Sequence, residues 1–212
     1  MSVVSARISG RTATTADYTW FGDGFPELAQ AYCLTLVRDL APAGILRRLQ
    51  GREEPALTGV EEIVEAAFEL LEPDPARQLI AMAAIRDWTL LIEPNGYLGI
   101  DEETALPASV GTRWVSHFVN VNGVSSFLWA ENGTKRLGFE PGVPDHRSGT
   151  TPDEHLEAMH RVGFQFWAET SDTAEDLSGP AAFALAEHLT GVRVTPEFLH
   201  GTTFVCGSVE IR

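Results

Sequence analysis

The sequence predicts an α+β fold, an antiparallel β-meander of about five to six strands covered on one face by N- and C-terminal helices. Three observations carry this expectation. Residues 79–140 alternate apolar runs with the turn signals Arg86-Asp87, Asn122-Gly123 and Asn132-Gly133. Helix-start signals lie on both sides of that stretch. No internal repeat and no Ser/Gly/Pro tract or charge block divides the chain, so one domain is expected over residues 18–212, after a flexible leader over residues 1–17.

In chain order, the aromatic cluster Tyr18, Trp20 and Phe21 is placed to dock the leader onto the body. From Pro26, Leu28, Tyr32, Leu36 and Leu40 recur every four residues and predict a helix, with Cys33 beside the stripe as a core thiol. Pro42 opens a second helix carrying Ile45, Leu46 and Leu49, which completes a helical hairpin. Thr58 followed by Glu61 has capping-box spacing for a helix through Ile63, Val64, Ala67 and Phe68, stopped by Pro73; Glu61, Glu62, Glu65 and Glu69 form its solvated face. Strands follow over residues 79–85, 88–93, 113–120, 127–131 and 135–140, with residues 101–109 an acidic loop and residues 141–149 a connection. Thr151-Pro152-Asp153-Glu154 signals a helix running to Val162 and stopped by Gly163. Phe164, Phe166 and Trp167 predict a short strand or an apolar lid. A further helix ends at Gly191, Thr195-Pro196 starts a short one, and residues 203–211 alternate as a last strand.

Composition excludes several classes. The chain has 212 residues and a formal charge of −15, with one lysine, Lys135, which argues against a nucleic-acid phosphate footprint and favours a basic protein as partner. No apolar run reaches the roughly 18 to 20 residues that span a bilayer, and the first residues lack the apolar core of a secretory signal, so no membrane association is expected. Two cysteines, Cys33 and Cys206, are too few for a disulfide framework and suit a reducing cytoplasm.

Searches for chemistry remove the common templates. There is no dinucleotide or phosphate-loop glycine pattern, no Gly-x-Ser-x-Gly elbow and no Cys-x-x-Cys, and no cofactor is expected. His155 and His160 lie about 140° apart on a helix, so they do not make a zinc pair and no metal is expected. The polar residues that could converge at one end of the sheet are Glu93, His117 and Glu140 as acid–base candidates, with Asn95, Asn120 and Glu131 as ligand-binding candidates. Each also has an ordinary structural role open to it: Asn95 suits a turn, Glu93 and Glu140 each precede a proline at a strand end, and His117 could be a satisfied strand residue.

The segments Trp88-Thr89-Leu90-Leu91-Ile92-Glu93-Pro94-Asn95-Gly96-Tyr97, Ser116-His117-Phe118-Val119-Asn120-Val121-Asn122-Gly123 and Phe139-Glu140-Pro141 resemble an uncharacterised family abundant in actinomycetes, over nearly the whole chain. That resemblance implies a bacterial cytosolic domain and transfers no functional residue. The function expected from these readings is a non-catalytic protein-binding or immunity-like module that engages a basic protein. The competing expectation is a small-molecule binder or enzyme using a pocket of Glu93, His117 and Glu140.

Overall fold

The computed structural model describes residues 12–166 and 176–211, so Trp167 lies outside the described residues. Among the described residues nine strands form one antiparallel sheet. They are β1 (Tyr32–Arg38), β2 (Arg52–Thr58), β3 (Arg77–Ile85), β4 (Trp88–Pro94), β5 (Arg113–Val119), β6 (Ser125–Glu131), β7 (Thr134–Phe139), β8 (Arg147–Ser148) and β9 (Thr203–Glu210). The helices are α1 (Trp20–Gly24), α2 (Pro26–Gln30), α3 (Pro42–Arg48), α4 (Val60–Leu71), α5 (Glu102–Ala108), α6 (Leu156–Val162), α7 (Ser178–Thr190) and α8 (Pro196–Gly201), preceded by a 3-10 turn at Thr15–Asp17. The order across the sheet is β2-β9-β3-β4-β1-β5-β6-β7-β8.

The sheet is therefore larger than the five to six strands expected, and β1 is the main correction. Residues at every fourth position are also at every second position, so Tyr32 and Leu36 fit a strand as well as a helix. Tyr32, Cys33, Leu34, Thr35, Leu36 and Val37 are all buried, because β1 lies between β4 and β5 with both faces covered. A run buried on both faces loses the alternation that identifies a half-buried strand. The helix begun at Pro26 ends at Gln30, and the expected hairpin of two helices is replaced by β1 followed by α3. Strand β2 lacks a sequence signal for the opposite reason: Arg52, Glu53, Glu54 and Pro55 are almost without apolar character, as befits an edge strand that among the described residues pairs with β9 alone.

Local signals fared better where they were chemical. Arg86 turns the β3–β4 hairpin with φ 59°, and Asn132 and Gly133 turn β6–β7 with φ 50° and 78°, the left-handed pair of a type I′ turn. Gly163 and Gly191 end α6 and α7 in the left-handed conformation. The Thr195 hydroxyl accepts the Phe198 N–H to cap α8. Three boundaries moved. The cap of α4 is Gly59, and Glu62 rather than Glu61 reaches back to accept the Thr58 N–H at 2.8 Å. The expected loop over residues 101–109 holds α5, with Glu102 and Glu103 favourably placed in its first turn. The helix signalled at Thr151 starts at Leu156, after a series of turns. Phe164 and Phe166 are buried but belong to no strand.

Buried side chains fall into two clusters, one on each side of the sheet. Leu34, Leu36, Leu90, Ile92 and Val115 join residues of α4, α6 and α7 in the larger one. Val37, Leu91, Trp114 and Leu128 join Ile45 and Leu46 of α3 and Ala105 and Ala108 of α5 in the other. Helical side chains thus pack on both faces rather than on one.

Candidate functional site

Glu93 and His117 occupy the same end of the sheet but opposite faces. Glu93 pairs with Cys33 and His117 with Leu34, and adjacent residues of a strand point to opposite sides. They share no pocket.

On its face, Glu93 is 1% exposed and sits at the centre of a buried polar cluster. Its carboxylate accepts the backbone N–H of Leu98 at 2.8 Å and of Gly99 at 3.0 Å, and a side-chain N–H of Gln78. Cys33, Thr35 and Ser116 complete the group, with Thr35 and Ser116 hydroxyls 2.8 Å apart. Burial pushes the Glu93 carboxyl up to about 7, against the opposing pull of the Leu98, Gln78 and Gly99 donors. The Trp114 indole N–H donates to the Gly99 carbonyl at 2.8 Å and pins the same loop from the other side. This cluster anchors the loop after β4; its groups are spent on one another.

That loop also forms a wall of a surface cleft of about 490 Å³, lined by Arg48, Tyr97, Leu98, Asp101, Thr104 and Glu210 among others. Arg48 is committed there to the carbonyls of Ala108 and Val110, at 2.5 and 2.7 Å.

On the opposite face, His117 is 4% exposed and meets Phe183 and Tyr32 edge-on, with ring centroids 4.3 and 5.5 Å away. Its Nδ1 has no hydrogen-bond partner among the described residues. Burial pushes the imidazole down to about 3, so it is neutral at pH 7. An imidazole with a depressed folded value contributes stability that is present above its ordinary value of 6.5 and is lost as pH falls toward about 3. Replacing His117 with phenylalanine is therefore expected to raise stability at pH 4 relative to pH 6.5, measured by urea unfolding at both; an unchanged difference between the two would show that His117 is already protonated in the folded chain.

Glu140 is exposed and lines a second cleft of about 460 Å³, which it shares with Tyr18, Tyr32 and Phe183. Tyr32 and Phe183, which line this cleft, also pack against His117, but neither His117 nor Glu93 lines it. The other candidates serve the backbone. Asn95 is exposed at φ 50° in the turn after β4. The Asn120 side-chain Oδ1 accepts the backbone N–H groups of Asn122 and Val124 at 2.9 and 3.0 Å. Glu131 pairs across the strands with Arg113 at 2.7 Å. Among the described residues no group of three His, Cys, Asp or Glu side chains could hold a metal ion, and no described helix is long and apolar enough to cross a membrane.

Residues 11–212 match the model of a family of unknown function, DUF6461. The chain belongs to that family. No curated protein and no solved structure matches it. The DUF6461 fold thus brings its own residues to attention, and Tyr32 is the one sequence reasoning missed. Assigned to a helix, it could not be placed beside His117; as the first residue of β1 it pairs with Val119, two positions from His117 on the same face.

Proposed function

We propose that this chain is a cytoplasmic, non-catalytic protein-binding module of the immunity-like kind, and that its partner surface is the rim formed by α4 and the edge strand β2. The observation that carries this reading is Phe68, 57% exposed on a helix that has no basic residue and presents Glu61, Glu62, Glu65 and Glu69 to solvent. Glu61, Glu65 and Glu72 lie within about 60° of Phe68 around the helix axis, so aromatic and carboxylates share one stripe. A large exposed ring among charges of one sign suits a partner that supplies an apolar pocket rimmed by Lys and Arg. Glu53 and Glu54 of β2 add to the field. The total charge of −15 would speed encounter with a basic protein, in a manner weakened by salt.

The test compares immobilised wild-type chain with a Phe68→Ala/Glu65→Arg double variant in lysate of the source organism. A discrete basic protein held by the wild type, lost from the variant and bound again when purified supports the reading. Identical capture by both chains, or no discrete protein on either, defeats it. Because Phe68 is more exposed than buried, Phe68→Ala alone is expected to change folding stability by less than about 1 kcal/mol while weakening the complex at least about tenfold.

A further inference from the structure

The cleft on the Glu140 side has walls of one chemical character. It opens where β1 and β6 begin and β5 and β7 end, against α1 and the first turns of α7. Tyr18, Tyr32 and Phe183 supply aromatic surface, and Asp23, Glu140 and Asp176 supply carboxylates; among the described residues no Lys, Arg or His lines it. Asp176 accepts the Ser178 N–H at 2.9 Å. Among the described residues, the side chains of Asp23 and Glu140 make no hydrogen bond or ion pair.

A second, independent feature sits at the floor. Tyr32 is 3% exposed, yet its hydroxyl has no hydrogen-bond partner among the described residues. That hydroxyl keeps a sliver of solvent contact, so it is free to accept from a ligand in the cleft that Tyr32 lines. Its neighbour offers a contrast, since the Tyr18 hydroxyl donates to Glu187 at 2.8 Å and is already occupied. Tyr32 therefore brings the one uncommitted phenol oxygen into a space where aromatic faces and carboxylates both attract positive charge.

We propose that this cleft binds a small organic cation, a protonated primary amine on a compact apolar body. The ammonium donates to the Tyr32 oxygen and faces Glu140 and Asp23, while its apolar part lies against Phe183 and Tyr18. A volume of about 460 Å³ is within the range that holds a small ligand. An anion would meet three carboxylates with no compensating base, and a neutral ligand would leave their field unused. This site is separate from the α4 rim, and neither proposal depends on the other.

The experiment titrates the full chain with benzylamine and, separately, with benzyl alcohol, its neutral counterpart, following backbone amide and aromatic signals by NMR. Saturable shifts centred on Tyr32, Phe183 and Glu140 with benzylamine, and binding of the alcohol at least about tenfold weaker, are expected. Tyr32→Phe removes no internal hydrogen bond, so it keeps the fold and weakens the amine about tenfold. Glu140→Gln weakens it about threefold, and Glu69→Gln on α4 leaves it unchanged. Equal binding of amine and alcohol, no saturable shift, or amine binding that survives Tyr32→Phe and Glu140→Gln would each overturn the proposal, the last by showing only general attraction to an acidic surface.

Discussion

Replacing Glu93 with alanine is expected to destabilise the folded chain by about 3 to 5 kcal/mol, because the Leu98 and Gly99 N–H groups and the Gln78 amide lose their acceptor in a buried place at once. Glutamine does not substitute well. Both carboxylate oxygens accept backbone N–H groups, and a side-chain amide would turn an NH₂ toward one of them. The pH dependence separates this role from ordinary packing. The folded Glu93 value of about 7 lies above the ordinary 4.5, so the folded chain binds the proton more tightly than the unfolded one. Its contribution is fully present below pH 4.5 and is lost as pH rises through about 7, a change of about 3 kcal/mol. Over pH 4.5 to 6.5 this decline runs against the rise contributed by His117, which flattens the wild-type curve. Glu93→Gln should uncover the rise, and His117→Phe the decline. Urea unfolding from pH 4 to pH 8 reads all three chains; a Glu93→Gln curve parallel to the wild type would show that Glu93 is ionised throughout and the account wrong.

Gly99→Ala is expected to destabilise by about 3 kcal/mol through overpacking alone. A methyl built on Gly99 would fall inside contact distance of the Thr35 hydroxyl, 2.7 Å from the Cys33 sulfur and 3.1 Å from the Glu93 carboxylate. Two of these are held in place, Thr35 by Ser116 and Glu93 by its three donors, and the Gly99 carbonyl is pinned by Trp114. Thr35→Ala removes the nearest obstacle, so the double variant should be less destabilised than the sum of the two singles by about 1 kcal/mol or more. Strict additivity, or a Gly99→Ala chain as stable as wild type, would mean that the loop moves freely off the cluster.

Both predictions rest on neighbours that are distant in the chain. The Glu93 environment draws on Cys33, Gln78, Gly99 and Ser116, which belong to four different strands or loops. Nothing in the local text around Ile92-Glu93-Pro94 says that a carboxylate there is enclosed; a glutamate at a strand end beside a proline reads as solvated. His117 was legible as a strand residue, and its isolation was not, because that depends on Tyr32 and Phe183 packing against it from β1 and α7.

What the sequence determined by itself was whatever short-range chemistry dictates. The turns at Arg86, Asn95, Asn132 and Gly133, the helix ends at Gly163 and Gly191, the Thr195 cap and the acidic face of α4 follow from residues that accept or forbid particular backbone angles or that must stay in water. The tertiary structure alone decided that Tyr32–Arg38 is a strand in the middle of the sheet, that Arg52–Thr58 adds an edge, and that Glu93 and His117 face apart. The reason is common to all three. Strand pairing satisfies backbone groups through partners far along the chain, so a segment's state and the side its residues face are set by which strand lies beside it, not by its own composition.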